Sequence, residues 1–180
     1  MTETTAYPLT WELKSLYPHP DHADFEACLK QMKASLEDLV KRVEQLSSAA
    51  DPQGDATVWG DFLTDYQAAI AELAGLFAFL ECYCAEDAHN KHYQVLMARL
   101  ASIRPLRENI ETQLQLTLRD IPDEDLQQFA ENDARIGEIR FFLEDCKRNA
   151  KLRLPKEQEI LASQLAVDGL HAWGRLYDRL

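Results

Sequence analysis

Positive charge is scarce in this chain. Its 180 residues hold 19 Lys and Arg against 31 Asp and Glu, a formal net charge of −12. That argues against nucleic acid as a partner, because a basic footprint supplies most of such affinity. It argues equally against an anionic membrane surface. Glycine and proline are few, 6 and 7, which favours long uninterrupted elements. The four cysteines, Cys28, Cys82, Cys84 and Cys146, include no C-x-x-C pair. Cys82 and Cys84 stand about 200° apart on an expected helix and are badly placed to bridge each other. Reduced thiols in a cytoplasmic protein are the expectation. The start, MTETTAYPLT, lacks the basic residues and apolar run of an export signal. No apolar run reaches the ~18 residues of a membrane span. Alternation with period two, a phosphate-binding glycine loop and a repeat of 20–50 residues are all missing as well.

What is present is helical periodicity. Residues 1–20 read as an extended N-terminal segment, with Trp11, Leu13, Leu16 and Tyr17 before Pro18 and Pro20. Residues 21–180 read as one helical domain. Asp21 or Asp24 is expected to cap a helix whose stripe is Phe25, Leu29, Met32, Leu36, Leu39, Val43 and Leu46. That spacing holds over three heptads. After the loop AADPQGD, a helix from near Thr57 carries Trp59, Phe62, Tyr66, Ile70, Leu73, Phe77, Leu80 and Cys84. Around Leu73–Leu80 it is apolar on more than one face and should touch two neighbours. The polar stretch EDAHNKH marks a turn. Leu96, Leu100, Ile103, Leu106, Ile110, Leu114 and Leu118 follow, and because the period survives Pro105 a kinked single helix is expected. Ile121-Pro122-Asp123 opens a short helix over 123–131. The next, over 134–149, turns Ile136, Ile139, Phe142, Leu143 and Cys146 inward. A final helix from Leu154-Pro155 carries Ile160, Leu161, Leu165, Gly169, Trp173, Leu176 and Leu180. It runs apolar to its last residue without a capping glycine, a pattern that expects more protein after it. The fold class is therefore all-α: about six helices packed as long antiparallel hairpins in a bundle.

Candidate chemistry is thin. The histidines are His19, His22, His89, His92 and His171, and none is followed by glutamate. The H-E-x-x-H that places two imidazoles and a water-activating glutamate on one helix face is missing. Glu86-x-x-His89 is half of a di-iron pair without its second half. Cys82, Cys84, His89 and His92 have spacing unlike the usual zinc ligands, and Cys84 lies on an apolar stripe. These residues read as a polar helix end and semi-buried thiols. His171 reads as a polar neighbour of Trp173. No catalytic, cofactor-binding or metal residue is assigned.

Two stretches resemble the oligoendopeptidase F family of zinc metallopeptidases, relatives of thimet oligopeptidase. One is Trp11-Glu12-Leu13-Lys14-Ser15-Leu16-Tyr17-Pro18. The other is Leu154–Asp178, with Glu157, Glu159-Ile160-Leu161, Gly169, Ala172-Trp173 and Leu176-Tyr177-Asp178. Ile121-Pro122-Asp123-Glu124-Asp125-Leu126 and the order of long helices between them are also similar. The resemblance implies a non-catalytic N-terminal lobe that walls a channel for short peptides. It implies a partner, the catalytic lobe of the same enzyme, which would hold the zinc that this chain cannot. On that expectation the chain has no activity of its own. An exposed apolar surface would also permit a homo-oligomer. The alternative is a self-contained helical protein–protein interaction module using the Phe25–Leu46 stripe.

Overall fold

The computed structural model describes residues 12–46 and 54–152, and beyond them only Gln158, Leu165, Gly169, Trp173 and Tyr177. Every regular element among the described residues is helical: α1 Ala23–Gln45, α2 Gly54–Glu86, α3 Lys91–Ala101, α4 Arg104–Asp120, α5 Asp123–Asn132, α6 Ala134–Glu138 and α7 Arg140–Ala150. The all-α reading holds. Residues 12–22 contain no helix or strand and turn twice, where Leu16 N–H donates to Leu13 O and His22 N–H to His19 O. Trp11 lies outside the described residues.

The whole α1 stripe, Phe25 through Leu46, is buried. It faces α2 and α4 of its own chain, so it offers nothing to a partner helix. α1 and α2 run antiparallel. The Phe25 and Phe79 rings stand 5.6 Å apart at one end, and Arg42 Nη1 lies 2.7 Å from Asp65 Oδ2 towards the other. The N-cap of α1 is His22, not Asp21 or Asp24. His22 has an extended backbone, and its Nδ1 accepts the Asp24 N–H at 3.3 Å. An imidazole nitrogen thus fills the acceptor role that Asp or Ser usually takes.

α2 is the central rod and touches α1, α3, α5 and α6. Its first half is covered by α5 and α6, with the Trp59 ring tilted by 32° against Phe129 at 6.1 Å. Arg135 bridges Asp61 and Asp133 there, at 2.6 Å to each. Both Asp133 and Arg135 lie directly over Gly60, where a Cβ would collide with them. Its second half receives the N-terminal segment and α3. Tyr17 lies edge-on to Phe79 at 5.2 Å, and its hydroxyl occupies the space a Cβ on Gly75 would need. By length and composition alone, Ala56–Glu86 is apolar enough to cross a membrane, although no run of it looks uninterrupted in sequence. Four neighbouring helices pack on this rod, and 33% of its most apolar stretch is buried inside the bundle.

The break near Pro105 differs from the expected kink. α3 ends at Ala101 and α4 begins at Arg104 with proline in its first turn. Proline has no N–H to return to Ala101, and its ring crowds the preceding turn. Ser102 closes α3 instead, its hydroxyl donating to Arg99 O at 2.6 Å. The two segments then part: α3 packs on α2, while α4 packs on α1 and α7. The helix expected over 134–149 also divides, at Ile139, where φ −108° and ψ 14° leave the helical region. The described residues alone therefore hold seven helices, because two expected ones each split.

α7 keeps Leu143 and Cys146 inside, but Phe142 is 47% exposed, against the inward position expected of it. The Ile139 break resets the helical phase and swings Phe142 to the rim. Lys147, by contrast, is only 5% exposed. Its ammonium donates to Ile121 O and to Asp123 Oδ1, tying α7 to the turn between α4 and α5.

Of the final stripe, Leu165 and Trp173 are described and are 66% and 71% exposed, as is Tyr177 at 80%. Ile160, Leu161, Leu176 and Leu180 lie outside the described residues. Gly169 N–H donates to Leu165 O and Trp173 N–H to Gly169 O, so Leu165, Gly169 and Trp173 follow one another at helical i, i+4 spacing. Trp173→Ala should cost this chain less than about 1 kcal/mol in urea unfolding, as for other exposed side chains.

Candidate functional site

A cleft of about 410 Å³ lies between α5 and α7, lined mostly by charged side chains. Three of its four cations hold carboxylates, Arg140 with Glu144, Lys147 with Asp123 and Arg148 with Asp145, and Lys151 completes the lining. The seam between α2 and α4 is different. It contains two adjoining hollows of about 310 and 300 Å³ that share Ile70, Arg107 and Glu111. Leu63, Tyr66, Gln67, Ile139 and Phe142 complete the first, and Leu73, Ala74, Phe77, Arg104 and Glu108 complete the second. Leu63 and Phe77 stand 14 positions apart on α2, or about 21 Å of helix.

This groove exists because α2 and α4 meet through long side chains. Tyr66 reaches from α2 and donates its hydroxyl proton to Glu111 Oε1 at 3.2 Å. Arg107, one turn before Glu111 on α4, donates Nε–H to the same oxygen at 2.8 Å. Burial, and then the Glu111 charge, push the Tyr66 phenol well above its ordinary range. The hydrogen bond to Glu111 likewise holds the Arg107 guanidinium charged. Neither group exchanges a proton near neutrality.

Arg104 stands apart. Its guanidinium lies over the Phe77 ring, 4.8 Å from the centroid. Every other described arginine holds a carboxylate within 4 Å. Arg104 holds none among the described residues.

The residues weighed for metal chemistry do not converge. His89 is exposed in the turn after α2, and its N–H donates to Asp87 Oδ1 at 3.2 Å. His92 lies by Pro20 O and Asp21, at 3.4 and 3.6 Å. His19 packs edge-on to Tyr83 at 4.9 Å. Cys82 and Cys84 are half-buried and unbridged. Burial raises the Cys84 thiol and pushes Cys146 up to about 11, so neither is a ready thiolate. Among the described residues, no three His, Cys, Asp or Glu side chains are placed to share an ion. His171 lies outside the described residues. The described residues thus supply no set of three converging ligands of the kind a peptidase zinc needs.

Residues 118–180 match the family model described as Oligopeptidase F. The matched stretch runs from the end of α4 through α7 and the Leu165–Tyr177 face, and it is oligoendopeptidase F-like N-terminal sequence. It takes in Ile121–Leu126 and Leu154–Asp178, two of the segments that carry the resemblance in sequence. The Trp11–Pro18 segment lies outside it. Neither a search of curated proteins nor one of solved structures returned a match.

Proposed function

We propose that this chain serves as the non-catalytic N-terminal lobe of a cytoplasmic oligoendopeptidase F-like zinc metallopeptidase that hydrolyses short peptides. The match over residues 118–180 carries this reading. The lobe walls the peptide channel and supports a catalytic lobe, which supplies the zinc and the glutamate base. The sequence agrees with that division of labour, since none of its five histidines begins an H-E-x-x-H. The exposed Leu165, Trp173 and Tyr177, all within the matched stretch, suit a lobe that rests against further protein. The interaction-module alternative loses its motivation, because the Phe25–Leu46 stripe is spent inside the bundle.

The test compares two samples on a quenched fluorescent peptide. The 180-residue chain, purified with added zinc, should cleave nothing above background. Material isolated from the native source with an antibody to this chain should cleave the peptide, lose activity to a chelator and carry about one zinc per molecule. Zinc-dependent cleavage by the 180-residue chain that survives repurification would overturn the reading.

A further inference from the structure

We propose that the outer face of α7 is a self-association surface, on which α7 of a second copy of this chain packs antiparallel about a two-fold axis. The inference rests on α7 alone and does not depend on the peptidase reading. Four side chains define the face: Phe141, Asp145, Arg148 and Leu152. At about 100° per residue they fall within an arc of about 60°. The centre of that arc lies half a turn away from Leu143, Cys146, Lys147 and Ala150, the residues that α7 buries in the bundle. The helical path carries on to Leu152, because Lys151 N–H donates to Lys147 O at 3.3 Å and Leu152 N–H to Asn149 O at 3.0 Å. Phe141 is 74% and Leu152 81% exposed, so a large apolar side chain stands in water at each end of the face. Between them, Arg148 Nη1 lies 3.3 Å from Asp145 Oδ1.

The order of these residues says what covers them. Their spacing is 4-3-4, and along it the chain reads apolar, acidic, basic, apolar. Reversed, it reads apolar, basic, acidic, apolar, which is the complement of itself. Two antiparallel copies therefore set Phe141 on Leu152 of the second copy and Asp145 on Arg148 of the second copy, and symmetry repeats each contact. The two ion pairs close a square in which every neighbour has the opposite sign. A parallel partner would instead set Asp145 on Asp145 and Arg148 on Arg148. The flank agrees with the antiparallel register. Glu144, which Arg140 of its own chain holds, comes opposite Lys151 of the second copy. Net charge opposes the approach least where cations gather. The chain carries −12, yet α7 with Lys151 sets Arg140, Lys147, Arg148 and Lys151 against only Glu144 and Asp145. The face runs about 16 Å along the helix. That is short for a permanent interface, so the dissociation constant should be on the order of 100 µM.

Sedimentation equilibrium of the 180-residue chain, from about 10 µM to about 1 mM, should show monomer passing to dimer. Phe141→Asp and Leu152→Glu should each weaken association by about tenfold or more, since each removes an apolar contact twice over. Asp145→Arg and Arg148→Asp should each do the same, because like charges then meet. The last two variants also test the register. Mixed in equal amounts, the Asp145→Arg and Arg148→Asp chains should pair with each other although neither pairs with itself. Both exchanges placed in one chain should restore self-association. A variant that had merely lost its fold would show neither rescue, and thermal unfolding of each variant checks the fold directly. A chain that stays monomeric at about 1 mM, association that survives Phe141→Asp, or charge variants that find no partner on mixing would each overturn the proposal.

Discussion

Trp59→Ala should lower the unfolding free energy by about 3–5 kcal/mol, the range expected for deleting a buried large aromatic. Trp59 is 1% exposed and sits near the start of α2, where its ring faces Phe129 of α5. Removing it opens a cavity between α2 and the α5–α6 cover. The indole Nε1 has no hydrogen-bond partner, so the side chain stabilises through volume and apolar area rather than through its polar atom. That separates two variants. Trp59→Phe keeps most of the ring volume and removes a buried unpaired donor, whose burial costs about 1–3 kcal/mol. It should therefore cost about 1 kcal/mol or less. Urea unfolding followed by circular dichroism at 222 nm measures both. A cost for Trp59→Ala below about 1.5 kcal/mol, or equal costs for the two variants, would place the ring outside the core.

The contrast with Trp173 shows what a sequence pattern can and cannot deliver. Both tryptophans occupy apolar helical stripes, yet one is buried and the other is 71% exposed. Periodicity identifies the face a helix wants to cover, but it says nothing about which body covers it. The α1 stripe was fully legible because seven apolar residues at strict heptad spacing leave a helix one way to face its neighbours. Two-sided burial of α2 was legible too, from apolar residues around Leu73–Leu80 on more than one face. The errors share a local cause. Pro105 and Ile139 each interrupt a period that otherwise continues, and a continuing period cannot reveal whether the rod bends or breaks. At Ile139 that shift in phase moved Phe142 outward. The groove was legible only in part. The Arg107–Glu111 pair is visible as i, i+4 charges, but Tyr66 lies 45 residues away and joins them only through the fold. That Arg104 lacks a carboxylate is a property of three-dimensional surroundings, which no spacing encodes.

Lys147→Ala is expected to be the most costly change to a charged side chain, at about 2–4 kcal/mol. Two losses combine. The aliphatic stem, buried between α4 and α7, leaves a void, and the buried Ile121 carbonyl loses a charge-assisted donor at the end of α4. A cation is also favourable where the last carbonyls of α4 gather. Lys147→Met keeps the stem and should cost less, because only the donor is lost. The pH dependence distinguishes the ion pair from packing. Asp123 is held below the ordinary carboxylate range, first by the hydrogen bond from Lys147 and then by the charges of Lys147 and Lys151. A carboxylate with a depressed folded-state pKa adds stability above its unfolded pKa of about 3.9, and loses it as pH falls through the lower folded value. The wild-type advantage over Lys147→Met should therefore be full at pH 7 and shrink below about pH 4. The advantage over Lys147→Ala should shrink by the same amount and keep its packing component. Because Asp123 is largely exposed, solvent and salt screen the pair, and 0.5 M NaCl should reduce the pH-dependent part alone. Urea unfolding of the three proteins at pH 7 and pH 3 would show this. A difference between wild type and Lys147→Met that is identical at both pH values would mean that Lys147 stabilises the α4–α5 turn through the Ile121 carbonyl alone.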